Sequence, residues 1–283
     1  MKLISRRLEP ISLTPRLDAQ VLLAHILGVE RAWVVANSEV ELKPEEAKDA
    51  WTAISRLESG EALPYVLGCW EFYGLEFEVS PAVLIPRPET ELLVEKALLW
   101  LNANPERRRV LDVGAGSGCI AISLAVHIPD LVVIASDISM SALTVAQRNA
   151  HKHKVSDRVF FVQADLLSPF ARSHYPNRSI ELICANPPYI PTDVLKELVV
   201  SKKEPWGALH GGFDGLYIIR DLLRDAVHVL AESGVILLEI GADQGESVSE
   251  LTQRAFPEAA VRVLPDLAGH DRLVVAAALF SEC

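Results

Sequence analysis

The chain has 283 residues, of which 50% are hydrophobic, and a formal net charge of −11 at pH 7. This length allows two domains, or one large α/β domain with an appendage, and the apolar fraction is sufficient for a full core. The acidic balance argues against a surface devoted to nucleic acid, because affinity for phosphates depends largely on Lys and Arg. It does not exclude RNA binding through a local basic patch.

Four cysteines are widely spaced, without a C-x-x-C pair or a histidine at metal-ligand spacing: Cys69, Cys119, Cys184 and Cys283. We predict that they are buried thiols in a reducing compartment and that the protein has no metal site. The N-terminus lacks an apolar run of signal-peptide length. The longest apolar span, residues 111–128, contains Asp112 and three glycines. These residues argue against a membrane-spanning helix. We therefore predict a cytoplasmic protein that does not enter the membrane.

The pattern of residues 1–67 lacks strand-like alternation and predicts helices. One of them ends at Gly28, and another has glutamates in its first turn and ends at Gly60. Because such helices cannot each bury an apolar face alone, we predict a small helical bundle. Residues 68–88 then alternate around Gly74 and enter a proline-rich stretch, which predicts a β-hairpin linker.

Strands and helices alternate through the third predicted segment, residues 89–283, which starts with a helix from Glu89 to about Asn102. The predicted strands are 108–114, 131–137, 158–165, 181–186, 234–241, 259–265 and 271–279, and the later predicted helices are 119–127, 141–153, 214–230 and 245–255. This order predicts an α/β fold with a mostly parallel, seven-stranded sheet and helices on both faces. The last two strands have no helix between them and should pair antiparallel.

Three predicted strands are followed by groups suited to adenosine, at the edge where open α/β sheets bind ligands. The first is a glycine-rich loop: Gly114, Ala115, Gly116, Ser117 and Gly118. Such a loop allows close backbone approach to a ligand at a helix N-terminus, although structural turns use it too. Asp137 could accept hydrogen bonds from two ribose hydroxyls or cap the next helix. Asp165 could bind an adenine amino group or be an ordinary loop residue. Together the three fit either NAD or S-adenosylmethionine.

The fourth strand ends in a motif that separates these two cofactors: Asn186, Pro187, Pro188 and Tyr189. It is typical of enzymes that methylate a planar nitrogen, whose delocalised lone pair is a poor nucleophile. The Asn186 side-chain oxygen and the Pro187 carbonyl could accept hydrogen bonds from both N–H groups of that nitrogen and aim its lone pair. Proline rigidity would hold these acceptors, and Tyr189 offers a face for stacking. The structural alternative is a buried Asn-Pro turn with a packed tyrosine.

Longer motifs carry a family resemblance: "PYVLGCWEFYGLEFEVSPAVLIPRPETELLVE", "LDVGAGSGCIAISLA", "NPPYI", "EPWGALHGGFDGL" and "LPDLAGHDRLVVA". Over almost its whole length the chain resembles the peptide chain release factor N5-glutamine methyltransferases. The resemblance implies a class I S-adenosylmethionine-dependent methyltransferase fold, Rossmann-like, with the helical domain and hairpin linker in front. It also implies transfer of a methyl group from S-adenosylmethionine, which leaves S-adenosylhomocysteine, to the glutamine amide of the release factor Gly-Gly-Gln motif.

The resemblance also implies residue roles. The cofactor would be bound by Asp112, residues 114–118, Asp137, Asp165, Leu166 and Asn186, and the glutamine by Asn186, Pro187, Pro188 and Tyr189. The family often has an aromatic residue at the position of Leu166, so an aliphatic contact with the adenine ring is expected here. Arg87 and Glu89, in "IPRPETE", either cover the methionine end of the cofactor and line the glutamine entrance, or form an interdomain ion pair.

The N-terminal part is expected to recognise the protein substrate, since a single glutamine cannot supply specificity. Up to Glu78 it contains 8 Lys or Arg and 13 Asp or Glu, a net charge of −5, which suits a basic protein partner better than nucleic acid. We expect a monomer that binds release factors but neither nucleic acid nor membrane. The alternatives are methylation of a ribosomal-protein glutamine, methylation of adenine N6 in nucleic acid, and a non-catalytic cofactor-binding scaffold.

Overall fold

The computed structural model describes residues 1–172 and 178–278. The chain forms two compact units, Met1–Trp70 and Glu71–Cys283. Within the described ranges, every helix is too short or too polar to cross a membrane.

The first unit is helical, as the sequence predicted. Its helices are α1 (Lys2–Leu8), α2 (Pro15–Leu27), α3 (Arg31–Ala36), α4 (Pro44–Glu58) and α5 (Leu63–Leu67). Gly28 and Gly60 follow α2 and α4 with φ of 62° and 100°, a left-handed conformation that stops a helix. Leu8, Leu22 and Ile54, from α1, α2 and α4, are buried in one apolar cluster. The bundle therefore buries the faces that single helices would expose.

The predicted hairpin consists of β1 (Cys69–Phe72) and β2 (Leu75–Glu78), which form a two-stranded sheet. Tyr73 and Gly74 connect the strands, with φ of 52° and 71°. Two consecutive positive φ angles characterise a tight two-residue hairpin turn, which favours glycine. Beyond the hairpin, the proline-rich stretch leads into a 3₁₀ turn at Pro88–Thr90.

The central sheet has seven strands. They are β3 (Arg109–Val113), β4 (Val132–Asp137), β5 (Val159–Gln163), β6 (Ile180–Ala185), β7 (Leu230–Glu239), β8 (Ala259–Pro265) and β9 (Asp271–Ala278). Their order is β5-β4-β3-β6-β7-β9-β8. Strands β3 to β7 pair in parallel, whereas β9 pairs antiparallel with both β7 and β8. The mostly parallel sheet and the antiparallel last pair are thus confirmed, although residue 279 of the last predicted strand lies outside the described residues.

Helices cover both faces of this sheet. They are α6 (Glu91–Ala103), α7 (Cys119–His127), α8 (Met140–Lys152), α9 (Ser168–Arg172), α10 (Thr192–Glu197), α11 (Tyr217–Val229) and α12 (Gly245–Ala255). Successive strand residues point to opposite faces, so Leu182 joins an apolar cluster with residues of α6 and α7, while Ile183 joins one with residues of α11. Burial on both faces explains the continuous apolar run of β6.

The predicted burial of the cysteines is correct for one of the three that the structure describes. Cys184 is buried in β6, but Cys69 and Cys119 are partly exposed. Cys69 begins the two-stranded hairpin and Cys119 begins α7 at the sheet edge, so neither has the two-sided cover of a central strand. Cys283 lies outside the described residues.

Candidate active site

The strand order reverses at β3, and the predicted site residues follow the strands that meet there. The chain runs from β3 outward to β4 and β5, whereas β6 lies on the other side of β3. Ser136 of β4 and Ala185 of β6 both pair with Val113 at the end of β3. The carboxyl ends of these strands are therefore adjacent, at the switch point where open α/β sheets bind ligands.

The glycine-rich loop leaves β3 in a conformation open to a ligand. Gly114 and Gly116 have φ of 76° and 55°, and a Cβ on either would meet nothing within 4 Å. At Gly118, φ 81°, a Cβ would instead lie 2.8 Å from Ile122, so this third glycine allows close helix packing. The N–H groups of Gly114 and Ala115 both donate to the Ser136 carbonyl, at 2.8 and 2.9 Å. Hydrogen bonds to β4 therefore hold the loop, while the backbone of Gly114 and Gly116 remains open to a ligand.

Asp137, the last residue of β4, is hydrogen-bonded to that loop. Its Oδ2 accepts from the Gly116 N–H at 2.9 Å and its Oδ1 from the Ser139 N–H at 2.8 Å. The N-cap of α8 is Ser139, whose hydroxyl oxygen accepts from the Ala142 N–H, so the alternative that Asp137 caps this helix is wrong. Each carboxylate oxygen has a further acceptor site, and the side chain is half-exposed. Asp137 is thus both a loop anchor and an available acceptor.

Asp112 is a buried acid directly before the loop. Its Oδ2 accepts from the Ala121 N–H at 3.1 Å, whereas its Oδ1 has no hydrogen-bond partner among the described residues. Burial raises the pKa of Asp112 to about 7, opposed by the Ala121 hydrogen bond, and the nearby Asp137 charge raises it further. An unpartnered buried acceptor is costly, which fits a site completed by a donor or a cation.

Asp165 and Leu166 lie in the loop after β5. This loop is attached to the same edge, because the Ala164 N–H donates to the Asp137 carbonyl at 3.0 Å. Asp165 is exposed, and Leu166 has a φ of 48°, which is uncommon for a residue with a side chain. The structure brings both residues beside Asp137, and their contact with adenine stays a prediction.

Asn186, the first residue after β6, is held by two residues that sequence reasoning missed. Its Nδ2 donates to Thr90 Oγ1 at 3.1 Å, and Thr90 Oγ1 donates to Glu239 Oε2 at 2.6 Å. Thr90 and Glu239 are 3% and 1% exposed. Two signals could have indicated them: Thr90 is part of "IPRPETE", and Glu239 is a lone acid in the apolar strand "VILLEIG". With its N–H groups turned inward, Asn186 directs its oxygen away from this pair.

Two further loops, one before α11 and one before α12, contact the backbone of the motif. Pro187 is buried and Tyr189 is half-buried, and the Gln244 side-chain amide donates to the Tyr189 carbonyl at 3.0 Å. A Cβ at Gly211 would lie 2.8 Å from the Pro188 carbonyl oxygen. Burial, followed by the charge of Glu239, raises the pKa of Tyr189 to about 12, so its phenol stays neutral near pH 7.

Arg87 and Glu89 do not pair with each other. Arg87 instead forms an ion pair with Glu204, at 2.5 Å, and the other Glu204 oxygen accepts from the Ile85 N–H at 3.0 Å. The Glu204 side chain is 4% exposed, whereas Glu89 is exposed. The alternative in which Arg87 and Glu89 pair with each other is therefore wrong, because a buried acid 117 residues further along the chain binds the guanidinium.

Comparison with known proteins identifies the family. Residues 1–68 match the PrmC N-terminal domain, and residues 89–202 match the methyltransferase small domain. The release factor glutamine methyltransferase of Moorella thermoacetica is 44% identical over 93% of this chain and 91% of its own length. That of Coxiella burnetii is 39% identical over 97% and 96%. This chain belongs to the release factor glutamine methyltransferase family.

Family membership confirms the resemblance drawn from the motifs, and it makes the chain a methyltransferase. Among solved structures, the catalytic domain of hMettl16 in complex with MAT2A 3'UTR hairpin 1 has a TM-score of 0.57 and covers 84% of this chain and 82% of its own. At 15% identity, that likeness concerns the fold alone. Among the residues that the structure describes, no group of three or more His, Cys, Asp or Glu side chains could hold a metal ion.

Gly215→Ala should impair methyl transfer through the Tyr189 backbone. Gly215 has a φ of 75°, and a Cβ there would collide with the Tyr189 carbonyl oxygen. We expect kcat/KM to fall about 100-fold, since a shift of about 1 Å in a positioning group can cost that much. Gly207→Ala is the matched control, because it lies in the same segment with nothing within 4 Å of its Cβ. Wild-type kcat/KM in Gly215→Ala would contradict this role of the loop.

Arg87→Ala should lower stability by about 2 kcal/mol, because it leaves the Glu204 carboxylate buried with only one N–H partner. Arg224→Ala, which removes a surface arginine with a 62% exposed side chain, should change stability by less than about 0.5 kcal/mol. Denaturant unfolding of both variants tests this difference. Equal stabilities would contradict the structural role of Arg87, and an unchanged kcat/KM would contradict its predicted role at the cofactor and glutamine entrance.

Proposed function

We propose that this chain transfers a methyl group from S-adenosylmethionine to the side-chain amide nitrogen of the glutamine in the Gly-Gly-Gln motif of a peptide chain release factor. The observation that carries the proposal is the Asn186 amide at the switch point of the sheet. Its amide nitrogen donates inside the protein to Thr90 and to Glu239, so its oxygen is available to a substrate N–H. The names of the relatives at 44% and 39% identity support the same reaction.

The chain's own groups fit the methyl donor. Gly114 and Gly116 leave open space at the backbone, Asp137 can accept from ribose hydroxyls, and the unpartnered Asp112 Oδ1 suits a cationic or N–H group. When bound, S-adenosylmethionine supplies a methyl carbon made electrophilic by its attached sulfonium, and S-adenosylhomocysteine remains after transfer. Asp165 and Leu166 would contact the adenine.

The site residues would act by orienting the glutamine amide. Asn186 Oδ1 and the Pro187 carbonyl would accept one N–H each, which raises electron density on the nitrogen and favours its pyramidal form. Tyr189, whose phenol is neutral near pH 7, would stack on the flat amide. The neutral acceptors would not keep a proton, so the proton that the nitrogen loses would pass to water. Pro188 would keep Tyr189 and Pro187 in a rigid relation.

The helical first unit would recognise the body of the release factor. Remote contacts must supply specificity when the reacting group is a single glutamine. Residues 1–78 have a net charge of −5, which would favour encounter with a basic protein that works on RNA. A glutamine of a ribosomal protein and adenine N6 remain alternative acceptors, and the test below distinguishes the acceptors.

The test measures transfer of a labelled methyl group from S-adenosylmethionine to a purified release factor. The control factor has glutamate in place of the Gly-Gly-Gln glutamine, which keeps the shape of the side chain and removes the amide. A ribosomal-protein fraction and duplex DNA are offered in parallel. Label on the unmodified factor alone supports the proposal, whereas label on the ribosomal proteins, on DNA or on the glutamate control contradicts it. Binding of S-adenosylmethionine without any transfer would indicate a non-catalytic scaffold.

A further inference from the structure

Three side chains from distant parts of the chain form a hydrogen-bonded row at the acceptor amide. Glu239 lies at the end of β7, Thr90 at the end of the 3₁₀ turn, and Asn186 after β6. The Thr90 hydroxyl joins the carboxylate, at 2.6 Å, to the Asn186 amide nitrogen, at 3.1 Å, and Asn186 also donates directly to Glu239. Placing a carboxyl group at 1% exposure is costly without such partners. The row therefore needs an explanation beyond the packing of an apolar strand.

The ionised Glu239 carboxylate determines which group donates and which accepts in each hydrogen bond of the row. A carboxylate can only accept, so the single Thr90 hydroxyl proton goes to Glu239. Thr90 then presents lone pairs to Asn186, which must turn its NH₂ group inward and its Oδ1 outward. A protonated Glu239 could donate to Thr90 instead, and the Thr90 hydroxyl could then donate to Asn186 Oδ1. The amide would be free to turn over.

We propose that Glu239, acting through Thr90 and through its own hydrogen bond from Asn186, is a positioning residue that orients the Asn186 amide so that its oxygen faces the substrate nitrogen. The proposal rests on the proposed function, in which that oxygen accepts an N–H of the glutamine. An amide turned over would set its own NH₂ against the substrate NH₂. Two facing donors leave both groups without an acceptor.

The protonation state of Glu239 should change the orientation of the Asn186 amide, so the proposal can be tested by varying the pH. Burial raises the pKa of Glu239 to about 7, although the hydrogen bonds from Thr90 and Asn186 and the charge of Arg272 lower it. The other groups that act on or face this carboxyl are Glu89, Tyr189 and Cys119. Burial raises the pKa of both the Tyr189 phenol and the Cys119 thiol to about 12, so neither titrates near pH 7. Because the carboxylate form sets the productive orientation, kcat/KM should rise with pH through about 7.

Asp112, whose pKa is also about 7, titrates in the same range, so the pH profile of the wild-type enzyme is not sufficient by itself. Glu239→Gln separates the two acids, because its amide oxygen still accepts from Thr90 but does not titrate. We expect this variant to lose the component of the profile that Glu239 contributes. Asp112→Asn, with Glu239 intact, should keep it.

Thr90 variants test the row without changing any charge. Thr90→Ser keeps the hydroxyl and should keep kcat within about threefold, whereas the isosteric Thr90→Val should lower kcat about 30-fold, as expected for a lost positioning contact. The Kd for S-adenosylhomocysteine should be the same in both. Thr144→Val, at an exposed threonine on α8, is the matched control for the substitution itself. Thermal unfolding of each variant separates loss of fold from loss of orientation.

A direct readout needs no substrate. In protein labelled with ¹⁵N-asparagine, the Asn186 side-chain amide signals are assigned by their loss in Asn186→Ala. They should shift with a midpoint near the Glu239 pKa of about 7 in the wild type. Glu239→Gln should not show this shift, and Thr90→Val should show a smaller one, because only the direct hydrogen bond from Asn186 to Glu239 remains in that variant. The proposal would be overturned if the Asn186 amide signals titrated in Glu239→Gln as they do in the wild type. It would also be overturned if Thr90→Ser and Thr90→Val had equal kcat. An Asn186 signal that titrates as expected in an enzyme that leaves release factor unlabelled would preserve the row and refute the proposed function.

Discussion

Asn186→Ala should reduce kcat for methylation of a release factor by about 1,000-fold, the upper range for loss of one preorganised hydrogen-bonding group at a reacting centre. The variant removes the oxygen that is proposed to accept a glutamine N–H, so the amide nitrogen of the substrate would keep its delocalised lone pair and would no longer be aimed at the methyl carbon. Single-turnover transfer from labelled S-adenosylmethionine isolates this step from product release. The Kd for S-adenosylhomocysteine should change much less than kcat, because the glycine-rich loop and Asp137 remain.

The control for this variant is Asn102→Ala, which removes an exposed asparagine of α6. It should retain the wild-type kcat and unfolding temperature. Asn186→Ala also leaves the Thr90 hydroxyl without its donor, and a modest loss of stability is expected on that account. A folded Asn186→Ala enzyme that keeps kcat within about tenfold of the wild type would exclude Asn186 as the main acceptor.

Asp137→Ala should weaken binding of S-adenosylhomocysteine about 100-fold. Two charge-assisted hydrogen bonds to ribose hydroxyls are worth about 3 kcal/mol together, which corresponds to that factor. The variant also frees the N–H groups of Gly116 and Ser139, so the loop loses an anchor as well. Isothermal titration with S-adenosylhomocysteine measures the effect without a protein substrate.

Asp157→Ala is the control at the opposite edge of the sheet, since its 78% exposed side chain precedes β5. It should bind with the wild-type Kd. Asp165→Ala, by contrast, should weaken binding by about tenfold if its carboxylate accepts one adenine N–H. An Asp137→Ala protein with the wild-type Kd would contradict the predicted ribose contact.

The sequence was sufficient where local pattern decides the structure. Continuous apolar runs predict the buried strands, and a period of about 3.6 residues predicts the helices. The strand-end motifs around Gly116, Asp137 and Asn186 could be placed because parallel strands align their carboxyl ends. The left-handed stops at Gly28 and Gly60 follow from the same local chemistry. These features depend on neighbours within a few positions of the chain.

The partners of Asn186 and Arg87 could not be predicted in this way. Thr90 is separated by 96 residues from Asn186 and by 149 from Glu239. Hydrogen bonds over such separations depend on which strands become neighbours, and a single sequence does not encode that order as a periodicity. The cap of α8 shows the local limit, because Asp137 and Ser139 are both good capping residues.

Residues 79–90, between the hairpin and α6, limit how far the methyltransferase unit can be truncated from its N-terminal side. Ile85 and Arg87 bind Glu204, and Thr90 binds Glu239. A fragment that begins at Glu91 would keep every strand of the large sheet and the whole glycine-rich loop. It would nevertheless lack the residues that donate hydrogen bonds to the buried acids Glu204 and Glu239. The Asn186 amide would also lose its contact with Thr90 and be free to turn.

The hairpin extends this limit further toward the N-terminus. The Glu78 N–H donates to the Asn149 side-chain oxygen at 2.6 Å, and the amide nitrogen of the same side chain donates to the Ser117 carbonyl of the glycine-rich loop at 2.9 Å. One asparagine thus connects the hairpin to the loop that is expected to hold the methyl donor. The smallest autonomous catalytic fragment should accordingly include the hairpin, and shorter versions should be insoluble or inert even though they contain the glycine-rich loop, Asp137 and Asn186.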